Sequence, residues 1–161
     1  MWETMYRGDG CGLAAPQIGL PVRLFTVDSR STYENLTPEQ REVFFPEGDT
    51  GIMETFINGQ ILQQSDEQWE DTEGCLSIPG LSGNVKRPWE ITISYLDRNL
   101  TQMQRTFAGT TARIIQHEYD HTEGILYLDL LTPIERKMLT SKLKRIQKGQ
   151  IQVSYLMQFV K

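Results

Sequence analysis

The chain contains two histidines, and both fall in one short pattern, His117-Glu118-Tyr119-Asp120-His121. Four residues apart on an α-helix, two such side chains lie on nearly the same face and reach a single ion. The pattern therefore demands a helix here, with its histidine face turned toward something other than bulk water. The surrounding stretch TTARIIQHEYDHTEG agrees, with Ile114, Ile115, His117 and His121 at helical spacing and Gly124 as a stop. ARIIQ gives this helix an apolar inward side, where an unpaired imidazole is costly and a coordinated one is satisfied. Two surface histidines meeting by chance is the alternative, weakened because no histidine lies elsewhere.

Two imidazoles leave a tetrahedral ion short of ligands. Cys75, in EGCLS, and Cys11, in GDGCGLAAPQIG, are the thiols available, and spacing does not choose between them. Each has a second possible fate as a small buried hydrophobe. A disulfide is not expected, because the N-terminus lacks the basic start and apolar stretch of a secretory signal. The chain reads as a cytoplasmic domain of 161 residues that needs no covalent staple. No apolar run approaches the roughly 18 to 20 residues that span a bilayer, so no membrane contact is expected. The net charge of −5 argues against a general nucleic-acid binder. That charge is uneven: the acidic excess precedes residue 75, whereas ERKMLTSKLKRIQK, Glu135 to Lys148, is strongly basic.

The rest of the chain alternates strand and turn signals. WETMYR reads as the end of a helix, and the glycine-rich stretch after it as a tight loop with a short strand. VRLFTVD, ETFINGQILQQ and NVKRPWEITISYLD read as strands, and TQMQRTFA as a return strand after a turn at Arg98-Asn99. Residues 29–53 form a polar excursion, and glycine and proline punctuate EGCLSIPGLSG. Thr132 caps and Pro133 opens a second helix that ends near Gly149, and IQVSYLMQF predicts a final strand.

Three segments, GCGLAAPQ (Gly10 to Gln17), EGCLS (Glu73 to Ser77) and QHEYDH (Gln116 to His121), resemble the peptide deformylase family in order and separation. The likeness continues through PQIGLPVRLFTVD and INGQIL into the basic helix. It implies an α+β fold, with antiparallel sheets wrapped around a central helix carrying the H-E-x-x-H motif, as one catalytic domain over residues 1–161. It also implies a strand and most of a helix, roughly 25 to 30 residues, ahead of the segment that begins here as MWETMY. A domain without them leaves part of its core uncovered, which predicts lower stability or association through the exposed surface. Zincin metalloproteases share H-E-x-x-H but take a third ligand downstream, and no later histidine exists here.

The resemblance selects Cys75 over Cys11 as the third ligand beside His117 and His121, and implies one divalent ion per chain. Fe2+ is expected in the cell, and Zn2+, Ni2+ or Co2+ in purified protein. The implied activity is hydrolysis of the formyl group from the N-terminal formyl-methionine of new polypeptides. Glu118 is the expected general base and then acid, with the Gln17 side chain and Leu76 N–H as donors to the developing oxyanion. Gly10, Cys11 and Gly12 are expected to approach the substrate, Ile114 and His117 to wall the methionine pocket, and Glu73, Gln116 and Asp120 to support the ligands. Two positions depart from the family: Ser82, where many members carry arginine, and Thr110, usually leucine or aromatic. The basic helix from Arg136 to Lys148 is expected either to meet ribosomal RNA phosphates or to be a solvated basic face. Two other readings are a hydrolase of another small acyl group and a deformylase-like protein that binds without turnover.

Overall fold

A computed structural model describes residues 1–159. The elements in chain order are α1 (Trp2–Arg7), β1 (Gly12–Ala14), β2 (Leu24–Asp28), α2 (Arg30–Asn35), α3 (Pro38–Phe44) and β3 (Met53–Gln64). They continue with β4 (Gln68–Cys75), β5 (Ile78–Pro88), β6 (Glu90–Leu96), β7 (Gln102–Ala108), α4 (Gly109–Glu123) and α5 (Pro133–Gln147). Five strands form one antiparallel sheet in the order β1-β2-β3-β6-β7, and β4 and β5 form a separate hairpin. The α4 helix packs between them, as the α+β expectation requires. No helix among the described residues is long and apolar enough to cross a membrane.

Strand alternation explains the sheet. In β6 every second residue, Ile91, Ile93 and Tyr95, is buried, while their neighbours face outward. Phe25 of β2 sits opposite Phe56 of β3, and their rings stack with centroids 4.8 Å apart. These side chains join Val27, Ala112 and Ile115 in one cluster, each large member contributing about 1.5 to 3 kcal/mol through burial. A second cluster, built on Ile78, Leu81, Val85, Tyr127, Leu131 and Ile146, joins the hairpin to α5. The helix boundaries follow the sequence signals: Gly124 takes the left-handed conformation at φ 77° after α4, and Thr132 accepts from the Glu135 N–H to cap α5.

Four segments depart from the sequence reading. The excursion over residues 29–53 contains α2 and α3, and its last residue already belongs to β3; helices of six and seven residues are too short to show a clear period. EGCLSIPGLSG is the turn and inner arms of the β4–β5 hairpin, with Cys75 opposite Ile78. NVKRPWEITISYLD divides at Trp89 between two sheets. IQVSYLMQF keeps a strand's alternation, its odd-numbered residues facing inward, but is not a strand. Ile151, Met157 and Phe159 instead pack on the second cluster, so side-chain burial and not a hydrogen-bonded ladder holds this stretch.

Candidate metal centre

The α4 helix carries His117 and His121 to the end of β4, where Cys75 closes the strand. One ligand atom from each of the three lies within 4.8 Å of the others. His121 Nε2 is 3.2 Å from Cys75 Sγ, and His117 Nδ1 is 2.9 Å from Glu73 Oε2. That second contact occupies Nδ1 and leaves Nε2 of His117 for the cluster. Cys11 does not join it. Its thiol packs against the first core cluster and is pushed up to about 12, by burial first and then by the Glu118 carboxylate, so it stays neutral.

Glu73 is the hub beneath the ligands. Its carboxylate accepts from Arg87 Nε at 2.6 Å, Arg87 Nη2 at 3.0 Å and Arg113 Nη1 at 2.7 Å besides meeting His117. Arg87 also donates to Asp120 at 2.9 Å, and Arg113 donates to the carbonyls of Val85 and Trp69 while stacking over the Trp69 ring. Burial raises the Glu73 pKa, but hydrogen bonds from His117 and Arg87 outweigh it and bring the carboxyl to about 2. Gln116 stands apart: its amide donates to the carbonyls of Pro88 and Ala112 and ties α4 to the hairpin.

Glu118 is 4% exposed, and its Oε2 has no hydrogen-bond partner. Burial, opposed by the charge of His117 and helped by Glu73, pushes this carboxyl to about 7. Gly12 makes room for it, since a Cβ there would collide with the Glu118 carboxylate. A cavity of about 540 Å3 runs past Glu118, His117 and Cys75. Gly10, Cys11, Gly12, Gln17 and Leu76 line one part of it, and Thr110 and Ile114 another. Gln17 is aimed: its Oε1 accepts from the Ala14 N–H at 2.7 Å, so its amide NH2 faces Ser77 Oγ at 3.1 Å and Cys75 Sγ at 3.5 Å. Ser82 is exposed on β5 opposite Gly74 and lies off the cavity lining.

The donor set fits a divalent ion. A thiolate and two imidazoles leave a fourth coordination position, the arrangement of hydrolytic centres. The Glu73 and Asp120 carboxylates are already paired with Arg87 and Arg113, so the anionic donor left to meet a divalent cation would be the Cys75 thiolate. Burial lowers the affinity of His117 for a proton, yet Cys75 and Glu73 raise its pKa to about 10. His121, with burial and the neighbouring His117 charge against it, is lowered to about 3 and presents a free lone pair.

The sequence reading missed Arg87, Arg113 and Tyr155. Arg113 stands one helical turn before His117 within ARIIQ, and this spacing was the available signal. Arg87 looks like an ordinary outward strand residue beside Lys86. Tyr155, which lines the cavity from the C-terminal stretch, carries no local signal.

Known proteins resemble this chain in sequence and in fold. The family model described as polypeptide deformylase matches residues 1–137. The peptide deformylase of Christiangramia forsetii is 45% identical over 99% of this chain and 80% of its own length. That of Flavobacterium psychrophilum is 41% identical over 99% of this chain and 81% of its own. A crystal structure of peptide deformylase from Ehrlichia chaffeensis superposes with TM-score 0.78 at 32% identity, covering 93% of this chain and 80% of that one. Sequence and fold thus agree, and the chain belongs to the polypeptide deformylase family.

Proposed function

We propose that Cys75, His117 and His121 hold one divalent ion, and that Glu118 moves the proton in the hydrolysis this protein carries out. As a peptide deformylase, it removes the N-formyl group from the start of newly made polypeptides. The observation that carries the site assignment is the buried, partnerless Glu118 oxygen in the cavity that also exposes Cys75 and His117. A carboxyl near neutrality both accepts and gives a proton at physiological pH.

The reaction adds water across the formyl C–N bond, oxygen to carbon and proton to nitrogen, and leaves formate and a free amine. A bound divalent ion supplies Lewis acidity, lowering the pKa of water and polarising a carbonyl oxygen. Glu118 takes the proton of the attacking water and returns it to the departing amine, a role worth about 10²- to 10⁴-fold. The Gln17 amide, aimed by its bond from Ala14, and the Leu76 N–H donate to the oxygen on which charge develops. Gly10, Cys11 and Gly12 form the wall along which the extended formyl-peptide lies, and its first side chain meets Ile114 and Thr110. Glu73 fixes the His117 tautomer, while Asp120, through Arg87, and Gln116, through Pro88, hold hairpin to helix.

Fe2+ fills the site in the cell in this reading, and Zn2+, Ni2+ or Co2+ after purification, because thiolate and imidazole accept all four. The α5 cations from Arg136 to Lys148 are exposed and would meet ribosomal RNA phosphates; a solvated basic face accounts for the same exposure. Formate release from formyl-Met-Ala-Ser by anaerobically prepared protein tests the assignment. Glu118→Gln should lower kcat by about 10²-fold or more while leaving the fold intact. Equal rates in the variant would remove Glu118 from the chemistry.

A further inference from the structure

Cys75 and the Leu76 N–H both sit at the tip of the β4–β5 hairpin, where Leu76-Ser77 forms a two-residue turn between Cys75 and Ile78. Two-residue hairpin turns favour residues with positive φ, usually Gly or Asn. Neither Leu76 nor Ser77 is among the residues with positive φ, and the register shifts between Gly74 and Cys75. The tip is therefore not shaped by favoured turn chemistry. Two side chains from outside the hairpin grip it. Gln17 Nε2 donates to Ser77 Oγ at 3.1 Å, and the Tyr155 hydroxyl donates to the Leu76 carbonyl at 2.6 Å.

Tyr155 reaches Leu76 across 79 positions of sequence, from beyond the residues that the family model matches. Its stretch has its own anchors, Ile151 before it and Met157 and Phe159 after it, all on the second core cluster. The hydroxyl is thus not needed to hold the tail in place. Its ring lies 3.5 Å from where a Gly8 Cβ would be, and a side chain at Gly8 would also crowd Leu76, so the ring, the Gly8 backbone and the Leu76 side chain meet in the cavity lining.

We propose that Tyr155 is a positioning residue for deformylation: by holding the Leu76 carbonyl from the C-terminal stretch, it pins the Leu76–Ser77 peptide unit and so limits rotation about Leu76 Cα of the adjoining Cys75–Leu76 unit, which presents the Leu76 N–H to the formyl oxygen. The inference rests on Leu76 as an oxyanion donor. Outright loss of such a donor costs 10²- to 10³-fold, so loosening it should cost kcat about tenfold and leave KM nearly unchanged.

The test is Tyr155→Phe in the full, metal-loaded chain, with kcat and KM for formyl-Met-Ala-Ser, the melting temperature and backbone 15N order parameters at Leu76 and Ser77. The expected result is a kcat loss near tenfold, lower order parameters at those two residues alone, and an unchanged melt. Unchanged kcat and order parameters would overturn the proposal. A rise in KM alone would make Tyr155 a binding residue, and a collapsed melt would make the bond purely structural; either also overturns it. Looser Leu76 amides with unchanged kcat would instead count against Leu76 as donor. Absence of formate release from the unaltered protein would strike the wider functional assignment, while the order parameters would still report on the tether.

Discussion

Toward the five-stranded sheet, α4 presents Ala112 and Ile115, both fully buried among Phe25, Val27, Phe56 and Ile93. Toward the β4–β5 hairpin it presents Arg113 and His117, which meet Glu73, while Asp120 meets Arg87. The two sides are comparably dry but differ in what burial achieves. On the sheet side it is favourable in itself and tolerant of geometry. On the hairpin side each charge carries a desolvation cost that only well-aligned partners offset, so such a cluster is weak evidence for stability. Its alignment orients imidazoles toward a thiol. The difference teaches that one side of the helix holds the fold together and the other holds the site in register.

Separating the two kinds of wall by substitution sharpens this contrast. The largest effect is expected from Glu73→Gln, which leaves Arg87 and Arg113 buried with one carboxylate too few and His117 without its acceptor. Stability should fall by about 3 to 5 kcal/mol. Metal affinity of the folded fraction should fall 10- to 100-fold, measured by competition with a chelator. Phe56→Ala, on the other wall, should cost a similar 3 to 5 kcal/mol in denaturant unfolding. It should leave metal affinity per folded molecule unchanged; a matching loss of affinity would erase the distinction between the walls.

A smaller effect follows from pH. The Glu73 carboxyl is held at about 2, below its usual 4.5, so the folded state disfavours its protonation. Its contribution is present above the unfolded value and disappears as pH falls from about 4.5 toward about 2, worth roughly 3 kcal/mol. Acid unfolding of the unaltered protein should lose stability over that interval, and Glu73→Gln should show a shallower dependence. Parallel curves would mean that Glu73 is not the hub of the charged wall.

The apolar wall was largely legible in the sequence, because alternation in VRLFTVD and EITISYL and the helical period in ARIIQ mark which residues turn inward. The donors Cys75, His117 and His121 were legible too, through residue type and motif. What supports them was less so. Glu73, Gln116 and Asp120 were expected as supports, but a buried polar face has the same period as a solvated one, so Arg87 and Arg113 were not singled out. The EGCLSIPGLSG segment read as punctuation because the hairpin turns at Leu76-Ser77 without Gly or Asn, its glycines lying within the strand arms. The first arm of the hairpin, QWEDTEGC, lacks the apolar alternation that would announce a strand. Gly10 and Gly12 carry packing constraints that the sequence did not announce: Gly12 accommodates Glu118, and a Cβ at Gly10 would crowd Leu76.

The most direct test of the account is the divalent-metal content of anaerobically prepared protein, Cys75→Ser and Cys11→Ser, by mass spectrometry after gel filtration. The account predicts about one ion per chain in the unaltered protein and in Cys11→Ser, and a large loss in Cys75→Ser, because a neutral hydroxyl replaces the thiolate. Full metal content in Cys75→Ser, or its loss in Cys11→Ser, would contradict it.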